Sequence, residues 1–78
     1  MKKSTLNKIA KAKSRIEDLA ELLEELHSSE QEVFENRSER YRESDKGQRD
    51  ESDLYYLEEA FERLHEAYSS LGNLELED

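Results

Sequence analysis

Residues 54–71 read LYYLEEAFERLHEAYSSL, and their apolar side chains follow the period of an α-helix. Side chains spaced alternately three and four residues apart line one face of a helix. Ala60 and Ala67 flank this seam, and their small side chains let another helix come close. The stretch therefore predicts an amphipathic helix with one packing face, formed by Leu54, Leu57, Phe61, Leu64, Tyr68 and Leu71.

A longer apolar stripe precedes this segment. With Ile9, Ile16 and Leu23 at heptad position a, position d holds Ala12, Leu19, Leu26 and Val33. The stripe weakens after Leu26, where Glu30 and Arg37 take the next two a positions and Phe34 and Tyr41 partly replace them. The pattern predicts a first helix over about residues 5–43.

Capping residues predict the boundaries. Ser4 can cap the first helix, and Gly72-Asn73 can supply a left-handed residue that ends the second. Residues 42–53 contain no apolar side chain, which predicts a polar turn at about 44–51, a second helix at about 52–71 and a short C-terminal tail. Ser44 could equally cap an earlier start of the second helix.

The Ser29-Glu30-Gln31-Glu32 segment offers a competing division. Ser followed three residues later by Glu is a capping-box pattern, which would break the first helix near Ser28-Ser29 and give three helices. The stripe keeps its phase from Leu26 to Val33, as in an unbroken helix, so a continuous helix is favoured. The fold class is all-α, a long antiparallel helical hairpin in one domain, residues 1–78.

Composition excludes several classes of protein. The chain has 78 residues with no Cys, Pro or Trp, which excludes a disulfide framework and cysteine chemistry. Its longest apolar run is residues 54–57, too short to cross a membrane, so we expect a cytoplasmic protein. Two isolated glycines cannot form a phosphate-binding loop, and a narrow bundle offers little buried volume. We expect no enzymatic activity and no cofactor.

A two-helix hairpin of this size has a small core, which predicts self-association. In the register set by a turn near residues 44–47, Leu26 lies opposite Leu64 and Val33 opposite Leu57, so the start of the first helix is uncovered. A second, antiparallel copy would cover it and complete a dimeric four-helix bundle. The residues predicted for this contact are Leu6, Ile9, Ile16, Leu19, Leu23 and Leu26.

Charge is distributed unevenly. Residues 1–15 carry six basic residues and no acid, whereas residues 16–78 carry six basic residues and all 21 acids, a net −15. This negative part repels nucleic acid and anionic lipid and favours basic protein surfaces, including those that grip phosphate backbones. A rod lined with carboxylates could imitate DNA, although acidic helices are also ordinary solvated surfaces. The basic arm can pair with a second copy, touch an anionic polymer or membrane, or stay solvated.

Two Glu-x-x-His pairs resemble the ligands of di-iron bundles, Glu24 with His27 and Glu62 with His65. In the helical register above, the glutamates fall at position b and the histidines at position e, outside the seam. We therefore expect no metal site.

Five of the six aromatic residues gather toward the turn end of the hairpin. Tyr55 and Tyr56 fall on the outer face, where partly exposed tyrosines are common interface anchors. They could instead cover the turn as a lid on Tyr41. The predicted partner-binding residues are Tyr41, Tyr55, Tyr56, Glu51, Asp53, Glu58, Glu59, Glu62 and Glu66.

The segment EQEVFENRSERYRESDKG, residues 30–47, followed by Leu57-Glu58-Glu59-Ala60, resembles a group of short acidic helical proteins encoded by bacteriophages. The likeness covers about residues 30–61, with Tyr41 where that group more often has Trp and Asp45 where it usually has Glu. The resemblance carries no activity but implies phage or mobile-element origin. The hairpin is also similar in architecture alone to the RNA-binding plasmid copy-number protein, whose RNA-binding role the acidic surface disfavours.

These observations favour a non-enzymatic protein that binds a basic host protein, as an inhibitor of a nucleic-acid-handling or defence complex. The alternative is a self-associating coiled-coil assembly protein. A third, weaker hypothesis is nucleic-acid or membrane binding through residues 2–15; the leading one expects no direct nucleic-acid or membrane partner.

Overall fold

The chain folds as an antiparallel helical hairpin, as the apolar periodicity predicts. The structure is a computed structural model that describes residues 1–74, in which three helices occur: α1, Lys3–Glu35; α2, Glu39–Glu43; and α3, Asp45–Gly72. α1 and α3 pack along each other, and α2 lies against the start of α3. The molecule is a rod with extents of 60 × 14 × 13 Å.

Helix α1 is continuous over 33 residues and passes through Ser28-Ser29, so the break considered at Ser29 is wrong. The apolar stripe outweighs the local capping signal there, because α3 packs along this part of α1. The predicted cap at Ser4 is also wrong. Lys2 precedes the helix with extended backbone and makes no side-chain capping bond, and Ser4 already lies inside the first turn.

The first helix ends at Glu35, eight residues earlier than predicted. Asn36 is its C-cap, and Ser38 opens the short helix α2 by accepting the N–H of Tyr41 at 3.1 Å. Asn and Ser compete for backbone hydrogen bonds through their side chains and so favour helix ends over helix interiors. Because the apolar stripe is weak here, packing does not override this preference.

The predicted polar turn at 44–51 is wrong, and the alternative in which Ser44 caps an early second helix is confirmed. The Ser44 hydroxyl accepts the N–H of Gly47 at 3.2 Å and donates to the carbonyl of Tyr41. Asp45 lies in the first turn of α3, where a carboxylate is favourable beside the positive end of the helix dipole. Capping therefore starts α3 seven residues before the predicted start at 52.

Gly47 allows α2 and α3 to meet at close range. It is one of two buried residues in the described chain, the other being Ala20. A Cβ at position 47 would lie 2.6 Å from the carbonyl oxygen of Arg42, closer than real Cβ atoms approach backbone. The position requires glycine for space, since none of the described residues has a positive φ.

The C-terminal end of α3 also differs from the prediction. Asn73 is the C-cap with φ −86° and ψ −4°, a right-handed conformation, so no left-handed residue ends this helix. The Asn73 N–H instead bonds the carbonyls of Ser69 and Ser70, at 3.2 and 3.1 Å. Such tightened turns satisfy terminal carbonyls without a left-handed residue. The part of the predicted C-terminal tail from residue 75 onward lies outside the described residues.

The seam between α1 and α3 is rotated by one position from the predicted a/d stripe. Its α1 side runs through half-buried or buried side chains at alternating spacings: Leu6, Ile9, Lys13, Ile16, Ala20, Leu23, His27 and Phe34. Across it, the ring of Phe61 meets the ring of His27 edge-on at 5.6 Å. Lys13 Nζ lies 4.9 Å from the centre of the Tyr68 ring. On α1, heptad positions a and e therefore face α3, and most of the d positions, such as Leu19 and Leu26, face solvent.

No helix within residues 1–74 is long and apolar enough to cross a membrane.

Candidate protein-binding site

The predicted partner-binding residues do not form one patch. Seven lie on the outer arc of α3, Asp53 lies at the edge of this arc, and Tyr41 lies in α2. We call the seven the tyrosine surface: Tyr55, Tyr56, Glu51, Glu58, Glu59, Glu62 and Glu66.

Tyr55 and Tyr56 extend into solvent. They are 62% and 63% exposed, the highest fractions among the large apolar or aromatic side chains that are exposed in the described chain. Their rings meet each other edge-on, with centres 5.5 Å apart and planes at 74°. A lid over the turn would bury these rings, so the exposures favour the anchor interpretation over the lid.

Carboxylates surround the tyrosine pair. Glu51, Tyr55 and Glu58 line one shallow depression with His27 and Gln31 of α1. Arg63 pairs with Glu59 one turn away, and this hydrogen bond raises the pKa of the guanidinium above its ordinary value. The surface therefore holds five glutamates against one arginine, so it presents aromatic rings within a negative field.

Tyr41 is half-buried and hydrogen-bonded within the hairpin, and its role in partner binding stays a prediction. Its hydroxyl donates to Asp50 Oδ2 at 2.7 Å, and the guanidinium of Arg37 lies 4.6 Å from the centre of its ring. The hydrogen bond to Asp50, followed by partial burial and the charge of Asp50, raises the pKa of Tyr41 above 10.0. This residue therefore joins the connection between α1 and α2 to the first turns of α3.

Asp53 lies at the edge of the tyrosine surface, three residues before Tyr56 on α3. It lines a groove of about 380 Å³ at the turn end, together with Val33, Tyr41, Asp50 and Leu57. This groove opens on the side of the hairpin where Val33 is exposed. Asp53 therefore belongs to the same side as the exposed apolar residues of α1.

The Glu-x-x-His pairs are separated by the seam geometry. His65 Nε2 contacts Glu24 Oε1 at 2.5 Å across the two helices, and both side chains are about half exposed. The predicted position of His27 outside the seam is wrong, because His27 is half-buried and its ring faces Phe61 of α3. Within residues 1–74, no three His, Cys, Asp or Glu side chains are grouped so that they could hold a metal ion.

The residues predicted for self-association also divide into two groups. Ile16 faces Leu64 and Tyr68 across the hairpin, and Leu6, Ile9 and Leu23 are half-buried rather than uncovered. Leu19 and Leu26 remain exposed, at 50% and 46%. The residues predicted for self-association do not include Leu22 and Val33, each 50% exposed. The three-and-four spacing of Leu19, Leu22 and Leu26 was a usable signal for a second stripe.

The motif behind the phage-protein resemblance coincides with the connection between the long helices. Within this motif, Ser38 caps α2 and Ser44 caps α3. Gly47 is the point at which these two helices approach closely, and Tyr41 is the aromatic residue that donates a hydrogen bond to Asp50. These positions shape the hairpin rather than the tyrosine surface.

The chain matches no protein-family profile, no curated protein and no solved structure.

Proposed function

We propose that this protein is a non-enzymatic binding module whose tyrosine surface docks on a basic protein surface. The observation that carries the proposal is the pair of adjacent tyrosines, each more than 60% exposed and ringed by glutamates. Exposed aromatic side chains supply anchors that bury in a partner's pockets, and the carboxylates steer a positive partner toward them.

The charge density suits a basic protein better than full imitation of duplex DNA. Residues 16–74 hold 18 acidic and 6 basic side chains, a net −12. Because α1 packs along α3, these charges share the length of α3, which is 28 residues or ~42 Å. The rod therefore carries one net charge per ~3.5 Å, about half the charge density of duplex DNA. The partner would therefore have a basic patch or groove, which can be one that otherwise grips a phosphate backbone.

The resemblance to phage-encoded proteins supports a host protein as this partner. In that setting the protein acts in the cytoplasm of the host cell and inhibits a nucleic-acid-handling or defence complex by occupying its basic surface. The same negative field disfavours direct binding to nucleic acid.

Comparative capture from host lysate tests the proposal with matched variants. Tyr55→Ala with Tyr56→Ala removes both anchors. Glu58→Gln with Glu62→Gln removes two charges from the tyrosine surface, whereas Glu17→Gln with Glu21→Gln removes the same charge from α1. Circular dichroism confirms that each variant stays helical.

We expect the tyrosine variant to lose the captured protein, and Glu58→Gln with Glu62→Gln to weaken its capture more than the α1 control. Retention should fall between about 50 mM and about 500 mM NaCl, because salt screens exposed charges. A captured protein that is retained equally by all variants would contradict the proposal.

The exposed leucines of α1 favour a second candidate function, a self-associating assembly protein. High-order oligomers that grow with concentration, together with no captured protein that depends on Tyr55 and Tyr56, would favour assembly over partner binding.

A further inference from the structure

A second apolar surface flanks the hairpin seam and borders the tyrosine surface at Tyr56, which lies four residues before Ala60 on α3. On α1, Leu19, Leu22, Leu26 and Val33 share one side and are each about half exposed. On α3, Leu57 lines the same groove as Val33, and Ala60 and Ala67 follow Leu57 by three and ten residues, on the same side of the helix. We call this the leucine face: Leu19, Leu22, Leu26, Val33, Leu57, Ala60 and Ala67.

From this surface we infer that a second copy of the chain packs antiparallel on the leucine face and completes a four-helix bundle. Leucines on one helix beside alanines on its neighbour form ridges and shallow grooves, which two copies can interlock. A symmetric dimer uses the same patch on both subunits, and both leucine faces would be covered by one contact.

The exposed area of the hairpin supports this occupant. The chain exposes 6443 Å², whereas a compact monomer of 9.2 kDa exposes about 4,900 Å². The excess of about 1,500 Å² is spread over the whole elongated rod, and it is larger than the ~800 Å² that each partner of a standard stable interface buries. Within the described residues, Ala20 is the one apolar side chain that the hairpin buries fully.

Charge complementarity sets the direction of the second copy. The N-terminal end of the leucine-face side carries Lys8, Lys11 and Arg15. Its turn end carries three acids and one base in the groove beside Val33: Glu30, Asp50, Asp53 and Arg37. More broadly, residues 1–15 hold six basic residues and no acid, and residues 29–60 hold eleven acids and five bases, a net −6. An antiparallel copy places each positive end beside a negative end, whereas a parallel copy places like charges together.

Sedimentation equilibrium of the full chain tests the dimer. We expect the wild type to be a dimer at micromolar concentration, and Leu22→Glu with Leu26→Glu to be a monomer. Tyr55→Ala should remain a dimer, because Tyr55 lines the depression with His27 and Gln31 on the other side of the hairpin. A wild type that is a folded monomer, a leucine variant that stays dimeric, or assembly beyond two copies would overturn the inference.

A charge-reversal set tests the direction and does not depend on core substitutions. Lys11→Glu with Arg15→Glu should raise the dimer dissociation constant roughly tenfold at low salt, by loss of pairing and added repulsion. Adding Glu30→Lys and Asp53→Lys to the same chain should restore it. The two sites are 15 or more residues apart along one hairpin, or at least ~22 Å, well beyond the screening length of ~8 Å, so restoration must act between copies.

A dimer that is unaffected or tightened by Lys11→Glu with Arg15→Glu would contradict the antiparallel direction, because a parallel contact would gain from that reversal. Failure of the restoring pair would contradict it as well. These experiments measure self-association and the lysate capture measures partner binding, so failure of the dimer can be distinguished from failure of the proposed function.

Discussion

Tyr41 shows how one side chain can join three segments of a small fold. It is in α2, stacks beneath Arg37 of the connection, and donates to Asp50 of α3. The sequence pattern places Tyr41 near the turn but does not predict its hydrogen bond to Asp50. The helical period gives the side on which a residue lies, whereas the hydrogen bond to Asp50 depends on where α3 begins, and that start was predicted seven residues late.

The raised pKa of Tyr41 predicts a specific alkaline titration. Its folded-state pKa lies above the ordinary 10.0, so this residue's contribution to stability is complete below that value and is lost as pH rises through the folded-state pKa. In a 295 nm absorbance titration, subtracting the Tyr41→Phe curve from the wild-type curve should isolate one ionisation with a midpoint above pH 10.0.

Asp50→Asn is the control for this titration. It keeps an acceptor near the phenol but removes the charge, so the isolated midpoint should move back toward its ordinary value. An isolated Tyr41 ionisation at or below 10.0 would show that the hydrogen bond does not hold the phenol proton in solution.

At the scale of helices, the connection is defined by caps and space rather than by polarity. Ser38 and Ser44 start α2 and α3, and Gly47 lets the two helices meet. The absence of apolar residues from 42 to 53 predicted a loop there, but the first turns of α3 are held by capping bonds and need little apolar burial. A polar composition was therefore a poor guide to the turn.

The two glycines predict opposite effects on stability. Gly47→Ala should lower the free energy of unfolding by about 1–3 kcal/mol, because its Cβ would clash with the carbonyls at the end of α2. Gly72→Ala should be neutral or stabilising by up to about 1 kcal/mol, because only Lys13 Nζ lies near, at 3.9 Å, and alanine favours a helix. Urea denaturation measures both.

Equal effects of the two substitutions would contradict the close approach at Gly47. The comparison is internally matched, since both glycines are in α3, both have negative φ, and both gain the same methyl group.

The long helices were the most predictable elements, since their apolar side chains recur over many turns. The seam on α1 was predicted one position away from where it lies. Two overlapping stripes exist on this helix, one through Ile16, Ala20 and Leu23 and one through Leu19, Leu22 and Leu26, and both have helical spacing. Periodicity alone cannot choose which stripe faces α3, and that choice decides which leucines stay exposed.

For the whole molecule, the thin core predicts a stability that depends on concentration. If a second copy covers the leucine face, mass action stabilises the folded state as protein is added. The melting temperature should therefore rise with concentration for the wild type and stay constant for Leu22→Glu with Leu26→Glu. Differential scanning calorimetry over a hundredfold range of protein concentration makes the comparison. For a dimer, this range changes the free energy of unfolding by about 2.7 kcal/mol.

A concentration-independent melting temperature in the wild type would indicate that the single hairpin is the stable unit. That result would also require the half-exposed leucines to be tolerated in solvent.

The elongated outline of the hairpin affects how the molecule moves through water. A body more than four times longer than it is wide, at 60 × 14 × 13 Å, meets more friction than a sphere of equal mass. It should leave a sizing column early even as a single chain, and it should spin about its long axis faster than it turns end over end. Elution volume by itself would overstate the mass, and nitrogen-15 relaxation rates should differ between amides along and across the rod.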